Sequence, residues 1–378
     1  MLRRDVLKAI PASLFLTGFP NLGTARNLKD GRLVVINLEG GMDGICAVPP
    51  LGDKSLRSAR RDLLINENLK VNPFFGLHPA FKNFGTMLSA DEATIVHATA
   101  FPYTKRSHFE GQNIVETGIL TPFSSKTGWL GRAMELAGVG GRSLSLDTPL
   151  LVRGNMDVEA YYPSDLRGSK FPDNGVLDAL KSIYEGDALE TAEVLQQQLN
   201  LSLDAPRLRD PEGLATFAGK KMQSQHGPKV AVIRVPEFDT HANQGTEDGL
   251  HSEQLKVVDN VFGALKAGLG PMWASTVVIT ITEFGRTIAQ NGSAGTDHGY
   301  GSACLIAGGL IDQAGIVSDW PGLKPNALHD GRDLQATIDM RSVCAACLEI
   351  SFGLEHDEIT EKVFFDTKIK RVYNEIFS

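Results

Sequence analysis

The chain has 378 residues, 42% hydrophobic, 22% charged and 7% aromatic, a composition that excludes a disordered, collagenous or coiled-coil protein. A chain of this length buries roughly three quarters of its unfolded surface, enough for one large α/β domain or two modest ones without disulfides. Lys and Arg total 37 against 45 Asp and Glu, a formal charge of -8, so nucleic acid is excluded as a main partner because phosphate binding needs a basic face. The one basic cluster, at 57–61, reads as a solvated loop.

The N-terminus is set apart from the fold. Arg3-Arg4-Asp5-Val6-Leu7-Lys8 is followed by an apolar run at 9–19 and by Gly23-Thr24-Ala25, small residues that suit a signal peptidase. Residues 1–25 resemble a twin-arginine signal peptide. The resemblance implies the twin-arginine export machinery as a partner and a periplasmic or secreted product. The apolar run falls short of the roughly twenty residues that span a bilayer, and no other stretch reaches that length, so the mature form is expected to be soluble with no stable membrane anchor. The competing reading is a buried N-terminal helix of a cytoplasmic protein.

Beyond the leader, short β-branched runs alternate with longer amphipathic stretches, which predicts a doubly wound α/β fold, mostly parallel, with helices on both faces of the sheet. Strands are predicted at 32–38, 94–98, 144–152, 229–235, 276–282 and 302–307. Leu33-Val34-Val35-Ile36 and Val277-Val278-Ile279 are apolar throughout, as strands covered on both faces require. Leu255, Val258, Val261, Phe262 and Leu265 lie on one stripe of a predicted helix at 252–269. Residues 173–226, rich in Gln, Glu, Ala and Leu, read as a mainly helical insertion within a single domain at 26–378. Cys344 and Cys347 form a C-x-x-C inside a helical apolar pattern, which points to two core residues on one face more than to a redox pair.

In an open parallel sheet the ligand crevice lies outside the carboxyl ends of the strands, so the residues just after each strand carry the information. Here they are Glu39-Gly40-Gly41-Met42-Asp43, then Lys105-Arg106-Ser107-His108 at a predicted helix start, then Glu237-Phe238-Asp239-Thr240-His241, Thr282-Glu283-Phe284-Gly285-Arg286, and Thr296-Asp297-His298 before the last strand. Alone, Ser107 is a helix cap and each Asp a turn residue. Together they offer oxygen and imidazole ligands at one end of one sheet, the donors a divalent cation wants.

Leu-Glu-Gly-Gly-Met-Asp-Gly at 38–44, Gly-Leu-His-Pro-Ala at 76–80, Lys-Arg-Ser-His-Phe-Glu-Gly-Gln at 105–112, Gly-Trp-Leu-Gly-Arg at 128–132, Glu-Phe-Asp-Thr-His at 237–241, Thr-Glu-Phe-Gly-Arg-Thr at 282–287 and Thr-Asp-His-Gly at 296–299 together resemble the exported bacterial family called domain of unknown function 1501. That family is similar to a branch of the alkaline phosphatase and sulfatase superfamily, whose members hold a bimetal site and a nucleophile above a doubly wound sheet. The resemblance implies Asp43 as the strand-one carboxylate of one metal and Ser107 as the nucleophile that touches it. It implies Glu283 as a ligand where relatives carry an Asp-His pair, with Phe284 in place of that His. Asp239, His241 and His298 correspond to the second metal's ligands, and Asp297 to a further ligand or to a partner that fixes an imidazole.

The implied activity is metal-dependent hydrolysis of a small anionic ester of phosphate or sulfate through a covalent seryl ester, with one or two ions among Zn, Mg, Mn and Ca. Lys105, Arg106 or Arg286 would supply further charge for the anion, and His108 would contact the substrate or make a structural hydrogen bond to backbone. His78, His97, His226, His251, His329 and His356 read as structural or solvent-facing. No Cys/Ser-x-Pro-x-Arg occurs, which favours phosphate over sulfate esters, and the absence of Gly-x-Ser-x-Gly, Walker A and Gly-x-Gly-x-x-Gly motifs argues against an esterase triad or a nucleotide enzyme. The alternative from another class is a non-catalytic exported binding or assembly protein on the same fold.

Overall fold

A computed structural model describes residues 30–139, 141–143, 149–154, 158–160, 210–224 and 227–377. The predicted leader and residues 173–209, 225 and 226 of the predicted insertion lie outside the described residues.

In chain order the strands of the main sheet are β1 (Arg32–Leu38), β2 (Ala93–Ala100), β3 (Gly141–Ser143), β4 (Val158–Ala160), β5 (Val230–Val235), β6 (Thr276–Thr282), β7 (Ser302–Ala307), β8 (Gly315–Val317) and β9 (Ile338–Asp339). They form one sheet in the order β8-β2-β7-β6-β1-β5-β3-β4, with β9 paired to β2. β1 lies between parallel β5 and β6, Leu38 facing Val235 on one side and Thr282 on the other. Every residue of β1 and β6 is buried, in keeping with their apolar centres Leu33-Val34-Val35-Ile36 and Val277-Val278-Ile279.

The main helices are α1 (Lys82–Ser89), α2 (His108–Thr117), α3 (Trp129–Ala137), α4 (Pro211–Met222), α5 (Leu250–Leu269) and α6 (Met340–Phe352). Alternate residues of β1 serve two cores. Leu33 and Val35 pack with the apolar faces of α3 and α6, and Val34, Ile36 and Leu38 with those of α1, α4 and α5. The molecule is therefore a three-layer α/β/α structure. None of its described helices is long and apolar enough to cross a membrane.

Some expectations are corrected. β7 runs antiparallel to both β2 and β6. The reason is connectivity: β6 reaches β7 through a loop at one end of the sheet with no crossover helix, so the chain must return in the opposite direction. At 144–152 the described part is a 3-10 turn, Leu150–Val152, following Pro149, which has no N–H for a ladder; residues 144–148 lie outside the described residues. The described end of the predicted insertion, α4, belongs to a core layer. Asp210 caps it through the Gly213 amide with Pro211 in its first turn. α4 meets α5 at Gly219 and Gly268, where a Cβ on Gly219 would lie 2.9 Å from the Gly268 backbone. Cys344 and Cys347 are fully buried on α6, and burial pushes both thiols well above their ordinary range, as expected of core residues.

Candidate metal centre

The segments after β1, β5 and β6, the loop into β7 and the start of α2 converge. Gly40, just past β1, has φ of 117°, and a Cβ there would lie 2.3 Å from the Asp239 amide nitrogen, so only glycine allows this approach. Its N–H donates to Glu283 Oε1 at 2.8 Å and its carbonyl accepts from Arg286 Nη1 at 3.1 Å, which ties the ends of β1 and β6 together.

At the convergence, His108, Asp239 and His298 each present one ligand atom, all within 4.8 Å of one another. His108 Nε2 lies 3.3 Å from Asp239 Oδ2, and His298 Nε2 lies 3.1 Å from Asp239 Oδ1. His241 joins them, its Nε2 at 3.0 Å from Asp239 Oδ1 and 2.9 Å from His298 Nε2.

The opposite nitrogen of each ring faces an oxygen. His108 Nδ1 is 2.9 Å from Glu283 Oε1, His298 Nδ1 is 2.8 Å from the Arg106 carbonyl, and His241 Nδ1 is 3.2 Å from Asp297 Oδ1. The Arg106 carbonyl only accepts, so a neutral His298 carries its proton on Nδ1 and leaves the Nε2 lone pair free, whereas His108 and His241 have a carboxylate oxygen near both ring nitrogens and either nitrogen can donate. All three Nε2 atoms face one carboxylate. Those of His241 and His298 stand 2.9 Å apart, close enough that a proton or a cation must lie between them, and His108 Nε2 is buried with no hydrogen-bond partner among the described residues. Burial holds His298 below the usual imidazole range, whereas the hydrogen bond to Glu283 raises His108 above it. Burial pushes Asp239 upward, but its bond to Arg286 prevails and lowers it, so the carboxylate stays ionised. Nitrogen and oxygen donors whose outer atoms are anchored by hydrogen bonds fit a divalent ion.

The sequence expectations divide accordingly. Asp239, His241 and His298 are brought together, and His108 sits among them facing Asp239. Asp297 touches His241 Nδ1 and is held by Asn291 Nδ2 at 3.1 Å, so it fixes an imidazole from behind. Glu283 is corrected from ligand to support: its carboxylate is buried on the His108 ring and the Gly40 amide. Phe284 packs on the His108 and His298 rings at centroid distances of 5.0 and 4.8 Å, an apolar backing for both.

Arg286 is also corrected. Its side chain is fully buried, with Nη1 on Asp239 Oδ1 at 2.7 Å, Nε on Thr296 Oγ1 at 3.1 Å and Nη2 on the Thr296 carbonyl, so its donors are spent on protein rather than on a substrate. Ser107 precedes α2 but makes no side-chain cap; its amide donates to the Tyr103 hydroxyl at 3.2 Å, with no bond to the cluster among the described residues.

Asp43 departs furthest from expectation. It is 1% exposed and bridged bidentately by Arg60, with Nη1 at 2.7 Å on Oδ1 and Nη2 on Oδ2. Gln244 Nε2 donates to Oδ2 at 2.6 Å and the Cys46 amide to Oδ1 at 3.1 Å. A guanidinium occupies the place expected of an ion, so Asp43 is a structural carboxylate. Arg60, inside the basic run read as solvated, is 2% exposed. Arg57 and Arg61 remain outside.

Over residues 165–364, more than half of the chain, the sequence matches the family model described as protein of unknown function (DUF1501). The chain belongs to that family. No curated protein matches this DUF1501 chain. Solved structures similar to it include the phosphonate monoester hydrolase of Agrobacterium radiobacter, at 9% identity over 75% of this chain and 70% of that one, with a TM-score of 0.40. The PsFucS1 sulfatase from Pseudoalteromonas sp. is 12% identical over 92% and 76% with a TM-score of 0.41, and the C-terminal periplasmic domain of EcEptC from Escherichia coli 10% over 91% and 88% with 0.39. At these values the likeness carries no chemistry, and the DUF1501 site is argued from its own side chains.

What sequence reasoning missed here is Arg60, Gln244 and Asp333. Each sits in a polar loop with no local sign of burial, and each acts on a partner far away in the chain.

Proposed function

We propose that this DUF1501 protein is an exported, metal-dependent hydrolase of phosphate or sulfate esters with a single ion, held by His108, Asp239 and His298 with His241 beside them. One observation carries the proposal: the Nδ1 atoms are all anchored on oxygen atoms while the Nε2 atoms converge on one ionised carboxylate. Mixed imidazole and carboxylate donors suit Zn or Mn better than Ca. A cation held there polarises a phosphoryl or sulfuryl oxygen and eases loss of the proton from a nearby hydroxyl.

Ser107, next to His108 at the head of α2, is the nucleophile. Its amide donates to the Tyr103 hydroxyl, which in turn donates to Glu110 Oε2 at 2.9 Å, and this chain fixes the start of α2. The helix N-terminus favours an anion beside Ser107. Asp297 also lines a cavity of about 560 Å³ with Ser58, Ile288 and Leu328, room for the alcohol part of the ester. Absence of the formylglycine motif favours phosphate.

The test is calorimetric titration of stripped protein with Zn, Mn, Mg and Ca, beside turnover of aryl phosphate and aryl sulfate by wild type, Asp239→Asn and Ser107→Ala. One equivalent of tightly bound ion, with turnover lost in both variants, is expected. No uptake of any ion overturns the metal centre. Uptake with no turnover favours the binding-protein alternative, and turnover that survives Ser107→Ala keeps the hydrolase and overturns the serine nucleophile. Export is tested by replacing Arg3 and Arg4 with Lys, which should leave the protein in the cytoplasm.

A further inference from the structure

His298 is the most constrained of the three rings, and the constraint comes from outside the cluster. Its Nδ1 faces the carbonyl of Arg106, a residue at φ of 61°, where side-chain-bearing residues rarely sit without something to hold them. Its own carbonyl accepts from Arg332 Nη2 at 2.7 Å. Both arginines end on one carboxylate. Arg106 gives Nε at 2.9 Å and Nη2 at 2.6 Å to Asp333 Oδ2, and Arg332 gives Nε at 2.9 Å to Oδ1.

Asp333 is fully buried, and its backbone is pinned in turn. It exchanges N–H and carbonyl bonds with His329 at 3.0 and 2.9 Å, and the Arg332 carbonyl accepts from the Ile288 amide at 3.1 Å. The Arg106 guanidinium also reaches Asp330 Oδ2 at 2.7 Å, but that carboxylate is more than half exposed.

We propose that Asp333, which touches no ligand atom, is a positioning residue for the metal centre: it grips Arg106 and Arg332, and through them fixes the ring orientation and tautomer of His298. This rests on the metal reading above. A buried carboxylate with two cationic partners holds both where a neutral amide holds them weakly, because the bonds are charge-assisted and shielded from water. The Arg106 carbonyl then selects the Nδ1–H form, which leaves Nε2 as donor atom toward the ion.

The experiment pairs Co(II) titration, followed by visible absorption, with ¹⁵N detection of the His298 tautomer in metal-free protein, for wild type, Asp333→Asn and Arg332→Gln. Asp333→Asn should weaken Co(II) binding about 10–100-fold, change the absorption bands and mix the His298 tautomers, with Arg332→Gln showing a smaller loss in the same direction. Wild type that binds Co(II), with Asp333→Asn equal to it in affinity, bands and tautomer, would overturn the inference and leave the metal centre standing. Wild type that binds no Co(II), while the tautomer still moves in Asp333→Asn, overturns the metal centre and upholds the link to His298. If Asp333→Asn does not fold, Arg332→Gln decides: unchanged affinity and tautomer there overturn the proposal.

Discussion

Two carboxylates follow adjacent parallel strands, Asp43 after β1 and Asp239 after β5, and the chain treats them in opposite ways. Asp43 is sealed, with Arg60 on both oxygens and 1% of its side chain exposed. Asp239 is 41% exposed, shares Arg286 with the interior and turns its remaining capacity toward three imidazoles. Burial pushes Asp43 upward, but Arg60 overcomes this and holds it down to about 2, so the charge is kept by a guanidinium that cannot leave. The lesson is that position at a strand end does not make a metal ligand; the partner already present does.

The largest effect that can break this contrast is at Arg60. Arg60→Met leaves Asp43 buried and unpaired and should cost about 3–5 kcal/mol in urea unfolding, much of it regained in the double variant Asp43→Leu/Arg60→Met. Unchanged stability in the single variant would show that Asp43 is solvated. Asp239→Asn should do the reverse, lowering metal affinity about 100-fold by calorimetry while unfolding stability falls by less than about 2 kcal/mol.

Acid separates the two sites next. His251 is buried against Asp43, its Nε2 accepting the Asp43 amide proton at 3.1 Å, and burial pushes it down to about 3. The unfolded chain takes up a proton near pH 6.5 and the folded chain does not. The contribution of His251 is therefore full above that pH and declines as pH falls toward 3, by about 2 kcal/mol between pH 7 and 5. Urea midpoints at the two pH values check this, and His251→Gln should remove about that much of the difference, the buried His97, pushed down to about 4, supplying a similar share. At the open site Glu283 raises His108, so protons compete there with metal. Ion affinity should fall about tenfold for each pH unit below that of His108, seen as proton release in calorimetry at several pH values.

Glu283→Gln, which keeps the bond to His108 but removes its charge, should cost about tenfold in metal affinity with the fold intact. Smallest of all, Arg61→Ala, one residue from Arg60 but 82% exposed on Asp62, should change unfolding stability by under about 0.5 kcal/mol.

Much of the fold was legible. β1, β6 and β7 coincide with the predicted strands because a strand covered on both faces must be apolar along its length, and that is written locally. The direction of β7 was not, because it depends on what connects β6 to β7 rather than on the strand's own residues. At the site, Asp239, His241 and His298 were found as residues just past or before strands, and their meeting follows from the topology. Glu283 and Arg286 were placed correctly but given the wrong partners. Nothing in the sequence says which of two neighbouring polar side chains faces the crevice and which faces the interior.

By itself, the sequence determined the alternation of strand and helix, the burial of the central strands and the set of acidic and imidazole groups near their ends, since periodicity and residue type are local properties. Only the tertiary structure decided that Arg60 closes Asp43, that Glu283 backs His108, and that Asp333 holds His298 through two arginines. Those outcomes depend on hydrogen bonds of a few ångströms between residues as many as 227 positions apart, and short-range directional forces of that kind leave no trace in local pattern.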